Sequence, residues 1–276
     1  MVVIRSLKRT PGLLRSEPII FVPILVIGLL QAPQLFAQSL DPVVSTVVSL
    51  VMTGLFVFVM PFFFGGLIGM VNDVATSGRT SLGRFIGHGK TFYLSILGAY
   101  LIVFALTMTL GFALGIGVVV GVIGLFASGG SALAIAVVVL LLLVFLVIYL
   151  AIIAVFQFYG HAVVLDGARA VDSLKRSFDV VRTNLRQVVG YYLVLIVGGV
   201  VIGGIYGAMM LLLFPPATPG EPAPMPDLGP ALVGVGGSAL LTTLFGAVFL
   251  VYSVVFYRAI TGLDEPTTES SEPSAL

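Results

Sequence analysis

The sequence contains no cysteine, which excludes disulfides, thiolate metal sites and cysteine nucleophiles. Charge is almost as scarce. Only 9% of residues are Asp, Glu, Lys or Arg, where an ordinary soluble domain has about 25%. So few charges cannot solvate the surface of a chain that is 59% hydrophobic, and the bilayer is the solvent this composition fits. The net charge of +1 points to no nucleic-acid partner. There are two histidines, His88 and His161, and without a nearby carboxylate cluster they do not make a metal site. No Asp, Glu, Lys or Arg falls deep in an apolar stretch. Proton- and ion-coupled transporters usually place one there, so an energised transporter is disfavoured.

What the sequence does have is apolar length. Residues 18–40, 42–72, 91–165, 187–220 and 228–257 are free of charge, and a span takes about 20 apolar residues. The stretch 91–165 holds two spans, divided by the turn formers Ala127-Ser128-Gly129-Gly130-Ser131. The predicted fold is all-α: a polytopic transmembrane bundle of six spans in three hairpins, within a domain 1–262. The spans fall at about residues 18–39, 43–71, 92–125, 132–160, 187–214 and 229–257. A proline-rich loop, 215–230, precedes the last span. An acidic tail, 263–276, is expected to be disordered. Small residues at Ala37-Gln38-Ser39 suggest a signal-peptide cleavage site, but Gln31, Pro33 and Gln34 interrupt the approach to it, so the first stretch reads as a retained span.

Charge sets the orientation. With six spans, all 13 Lys and Arg fall on one side: Arg5, Lys8, Arg9 and Arg15; Arg79, Arg84 and Lys90; Arg169, Lys175, Arg176, Arg182 and Arg186; and Arg258 after the last span. The positive-inside rule makes that side cytoplasmic, with both termini. The expected location is the cell membrane. Arginine outnumbers lysine ten to three, which with the acidic tail and the lack of cysteine fits a high-GC or halophilic prokaryote.

Three basic-side segments superpose without gaps: Ser6-Leu7-Lys8-Arg9, Ser81-Leu82-Gly83-Arg84 and Ser173-Leu174-Lys175-Arg176. Six residues after each arginine stands Arg15, Lys90 or Arg182, followed by Ser16, Thr91 or Thr183. The pattern reads as a short basic helix plus a hairpin, used three times. The third copy has an apolar stripe, Val171, Leu174, Phe178, Val181 and Leu185, at helical spacing. It predicts an amphipathic helix with its stripe toward the membrane, Asp172 paired to Arg176, and Lys175, Arg176, Arg182 and Arg186 facing anionic headgroups. Asp166 and Gly167 would start this helix as cap and turn. A structural elbow orienting the fifth span is the plainer reading. Pro11-Gly12 and Gly87-His88-Gly89 predict interrupted, weaker helices in the other two copies.

Two further sets are read inside the spans. Gln31, Gln34 and Gln38 share a face of the first helix and form a polar path or a helix staple. Glycines four apart, including Gly111 with Gly115, Gly117 with Gly121, and Gly199, Gly203 and Gly207, predict close helix packing. Gly115-Ile116-Gly117 and Gly234-Val235-Gly236 look like pieces of nucleotide loops but lie within spans, not between strand and helix.

Asp166-Gly167-Ala168-Arg169-Ala170 is similar to the opening of the CDP-alcohol phosphotransferase signature. That chemistry needs further aspartates on adjacent membrane helices to hold divalent metals, and they are missing. Ala170, Ser173, Lys175, Arg176, Ser177, Phe178, Arg182 and Asn184 stand in a run before the fifth span. This run, with the six-helix layout, resembles prokaryotic membrane proteins related to the membrane domain of some glycerophosphoryl diester phosphodiesterases. The resemblance implies a six-helix fold without an assigned activity; no phosphodiesterase domain lies within these residues. The functional expectation is a non-enzymatic membrane scaffold or accessory component. A passive transporter or permease subunit with a path near Gln31 and Gln34 is the alternative, and a membrane-embedded lipid-modifying enzyme comes third. No cofactor and no metal is expected. The expected partners are the bilayer, its anionic headgroups, and a protein partner or a second copy of the chain.

Overall fold

A computed structural model describes residues 2–37, 41–213 and 228–264. Gln38, most of the proline-rich loop and the acidic tail beyond Asp264 lie outside the described residues. Among those described, all regular structure is helical: α1 (Val2–Ser16), a 3-10 turn (Pro18–Ile20), α2 (Phe21–Leu30), α3 (Ala32–Ala37), α4 (Pro42–Ser77), α5 (Leu82–Ala127), α6 (Ala132–Phe156), α7 (Tyr159–Leu165), α8 (Ala170–Thr183), α9 (Leu185–Leu213) and α10 (Leu228–Ile260). Five helical stretches are long and apolar enough to cross a membrane. The count among the described residues is six if α1 and residues 18–34, which meet at 94°, are taken as one broken span.

Local chemistry explains most boundaries. Asp41 caps α4 by accepting the Val43 N–H at 2.9 Å, with Pro42 in the first turn, where its missing N–H costs nothing. Gly78, at φ +72°, stops the same helix in a left-handed turn. The expected first span is divided instead of continuous. Pro33 lacks an N–H to continue the ladder, and α2 ends at Gln31 before α3 begins. The expected turn at 128–131 is present, with Gly129 and Gly130 at positive φ and Ser131 capping α6.

Two expected interruptions do not occur. α1 runs through Pro11, whose side is exposed, and α5 runs through Gly87-His88-Gly89 as one 46-residue helix. At 1.5 Å per residue α5 is about 69 Å long, against roughly 30 Å of hydrocarbon. It can therefore hold its basic start outside the apolar layer without a break.

Contacts divide the chain into two compact units, Met1–Thr91 with Asn184–Leu276, and Phe92–Thr183. In the first, α10 is central and packs on α1, α2, α4 and α9. Every residue from Val251 to Arg258 is buried, so that stretch is covered on all faces. Tyr191 of α9 stacks on Phe256 and Tyr252, with centroids 4.7 and 5.2 Å apart. Close approaches use small residues. Gly28 of α2 meets Ala239, Gly198 of α9 meets Phe249, and Gly66 and Gly69 of α4 meet Phe85 and His88 at the start of α5. In the second unit, α5 and α6 are joined by the 128–131 turn and meet where Gly121 lies against Val138, and α8 folds onto α6 and α7.

Candidate functional site

The chemistry-bearing side chains gather at the ends of helices where the basic residues lie. In the second unit, α6 breaks at Gln157-Phe158 and leaves backbone groups to satisfy. Ser177 of α8 satisfies two of them. Its Oγ donates to the Val155 carbonyl at 2.7 Å and accepts the Phe158 N–H at 3.1 Å. Ser173, Leu174, Ser177, Val180 and Val181 form the buried face of α8. The predicted stripe is therefore split. Leu174 and Val181 pack into the protein, whereas Val171 and Phe178 are about half exposed. With Phe156, Leu174, Lys175 and Asp179 these two line an open groove.

Of the predicted headgroup contacts, Lys175, Arg182 and Arg186 are exposed, and Lys175 lies 3.7 Å from Asp172. Arg176 pairs not with Asp172 but with Asp166, at 2.8 Å. Asp166 does not cap α8. Asp166 and Gly167, at φ +68°, close α7, with the Asp166 and Ala168 N–H groups both donating to the Ala162 carbonyl. His161 is buried in α7, edge-on to Phe158 at 5.6 Å.

In the first unit, Arg258 does not trail behind the last helix. It lies in the last turn of α10, only 8% exposed, and donates to Asn72 Oδ1, to Asp264 Oδ1 at 2.9 Å and to the Leu263 carbonyl. Asp264, expected in the disordered tail, also accepts from Arg9 of α1 at 2.9 Å. Beside Asn72, Asp73 meets His88 Nε2 at 2.9 Å and Arg84 at 3.4 Å. A carboxylate held between a guanidinium and an imidazole is an orienting contact first; it ties the end of α4 to the start of α5. Sequence reasoning found none of Asn72, Asp73 and Asp264. Asn72 and Asp73 lie in the last turns of α4 and Asp264 opens the tail, where polar and acidic residues are ordinary.

Gln31 lies at the break between α2 and α3, and Gln34 within α3, both half-buried. Among the described residues, the packing expected at Gly199, Gly203 and Gly207 is not made. A methyl at any of the three would meet nothing within 4 Å. Gly199 and Gly203 instead line an open groove between α9 and α10, with Tyr206, Ser238 and Thr242. Gly111, Gly115 and Gly117 are equally open, and only Gly121 has a neighbour across the hairpin, Val138. A short side chain at lipid depth reads the same in sequence whether protein or lipid covers it.

Comparison with curated proteins and with solved structures returns no match. The resemblance to the glycerophosphoryl diester phosphodiesterase membrane domain thus gains no support and is not carried further. One family model matches, over residues 1–260. With nearly its whole length matched, the chain belongs to the family described as Domain of unknown function (DUF7847).

Proposed function

We propose that this protein is a six-span, non-enzymatic scaffold or accessory component of the cell membrane, with both termini cytoplasmic, and that it holds anionic lipid along α8. One observation supports this reading above the others. α8 is docked by one face on α6 and α7, while Lys175, Arg182 and Arg186 stand exposed beside the half-exposed apolar Val171 and Phe178. Such a helix offers charge to a phosphate and an apolar groove to the chain below it. Each basic residue near an anionic surface contributes about 1 kcal/mol. Asp172 and Asp179 offset part of this, so the attraction is modest and salt-dependent. The 94° turn after α1 supports a second helix lying along a membrane surface, with Arg5, Lys8, Arg9 and Arg15 exposed. The one-sided distribution of Lys and Arg supports the orientation.

A ligand that binds only the folded state raises stability. Adding phosphatidylglycerol to the purified protein in neutral detergent is expected to raise its melting temperature, and phosphatidylcholine is expected to do so much less. In a Lys175→Gln/Arg182→Gln/Arg186→Gln variant the difference between the two lipids should largely disappear. Arg176 is spared because Asp166 already holds it. Equal stabilisation by both lipids, or a lipid difference untouched by the triple substitution, overturns the proposal.

A further inference from the structure

The three aligned arginines, Arg9, Arg84 and Arg176, each make the same kind of contact. Arg84 meets Asp73 at 3.4 Å, Arg176 meets Asp166 at 2.8 Å and Arg9 meets Asp264 at 2.9 Å. Each aspartate closes a hairpin. Asp73 ends the first and pairs with the arginine of the second copy; Asp166 ends the second and pairs with that of the third. Asp264 ends the third and pairs with that of the first. We propose that the chain is one module used three times through a single head-to-tail interface. Each module's short basic helix docks on the second span of the module before it, and the last span receives the first helix.

The burial register supports this independently of the ion pairs. One residue after each arginine the chain is buried, at Thr10, Phe85 and Ser177; five residues after it is buried again, at Leu14, Gly89 and Val181. The arginines themselves, and Arg15, Lys90 and Arg182 six residues on, are exposed. The docking partners agree. Phe85 and Gly89 lie against Gly66 and Phe62 of α4, Ser177 binds Val155 and Phe158 at the end of α6, and α1 packs chiefly on α10. The two compact units part after Thr91 and after Thr183, which are equivalent positions of the repeat. In both cases the short segment stays with the preceding hairpin and its own spans do not.

The ends of the hairpins also match. Phe158-Tyr159 precede Leu165-Asp166 at the same spacing as Phe256-Tyr257 precede Leu263-Asp264. The first module departs here, with Asn72 before Asp73. The second departs in having Gly83 for lysine, Ser81 exposed, and a short helix fused into its span. A heterologous interface repeated along one chain closes when the last element meets the first, and Arg9 with Asp264 is that closing contact.

Because the chain has no cysteine, protection can be read one position at a time. Thr10 and Ser177 are equivalent, and both are fully buried. Thr10→Cys and Ser177→Cys in the full chain are expected to react slowly with a thiol reagent. Adding Arg9→Asp should speed labelling at residue 10 by about tenfold or more, the opening that follows loss of one charged hydrogen bond, and leave residue 177 slow. Adding Arg176→Asp should do the reverse. The swap Arg176→Asp/Asp166→Arg should restore protection at 177. Asp166 is chosen for the swap because its contact with Arg176 is the shortest of the three pairs, at 2.8 Å; Asp264 also meets Arg258, and Asp73 also meets His88. Either reversal speeding both positions alike, or the swap failing to restore protection, overturns the shared interface.

Discussion

The helix α10 and the hairpin of α5 and α6 follow opposite rules. The stretch containing α6 and α7 is the most apolar of the five candidate spans among the described residues, and none of its most apolar part is buried. The stretch within α10 is the least apolar of the five, and half of its most apolar part is buried. In water the order would be reversed. In lipid an apolar side chain gains nothing by leaving the solvent, so burial falls to groups that pack closely or hydrogen-bond. The buried part of α10 includes such groups, Ala239, Thr243 and Ala247, the stacked Tyr252 and Phe256, and the multiply bonded Arg258, alongside Val251, Val254 and Val255.

The largest expected effect tests the polar end of α10. Replacing Arg258 with methionine keeps much of the stem but leaves Asp264 and Asn72 without their buried donor. Breaking a buried pair by removing one partner costs about 3–5 kcal/mol. Thermal unfolding in detergent should show this as a large fall in melting temperature. A loss no greater than that of an exposed arginine such as Arg5 would mean that α10 is held by packing alone, and the contrast with α6 would reduce to side-chain size.

A smaller effect separates the two regions directly. Ala247 of α10 is completely buried, whereas Ala136 of α6 is exposed. Leucine at 247 overfills a packed site, which costs about 1–3 kcal/mol. Leucine at 136 adds apolar surface where apolar surface already faces outward, and should leave the melting temperature unchanged. Comparable losses at both positions would show that α6 is covered by something other than lipid.

Helix existence was legible in sequence because composition and length decide it. The helices α9 and α10 begin and end within three residues of the expected apolar stretches, α4 runs six residues past its expected end, and the 128–131 turn stands where glycine and serine cluster. Interruptions were not legible, because a local rule was read without its tertiary context. Glycine weakens a helix by about 1 kcal/mol, yet Gly89 continues α5 because Phe62 occupies the space a side chain would take. The three matching ion pairs were hidden for another reason. Arg9 and Asp264 are 255 residues apart, and Asp73 and Asp166 look like ordinary turn residues until the third pair is seen beside them. The stripe on α8 gave the right period but not its owner: Leu174 and Val181 go to the protein, Val171 and Phe178 do not.

The smallest expected effect concerns Gly203. Spacing alone would make it a contact between helices, and a leucine there would then push two backbones apart. The space around it is open, and a leucine would project into the groove between α9 and α10. Replacing glycine in a helix interior also removes a propensity cost of about 1 kcal/mol. Gly203→Leu should therefore leave stability within about 0.5 kcal/mol of the parent or raise it slightly. The same substitution at Gly198, which lies against the ring of Phe249, should be clearly destabilising. The pair of variants fixes which side of α9 faces protein. A strong loss at 203 accompanied by a smaller particle on size-exclusion chromatography would mean that the groove is filled by a second copy of the chain. The close packing seen at Ala239 and Ala247 of α10 would then extend to a surface between molecules.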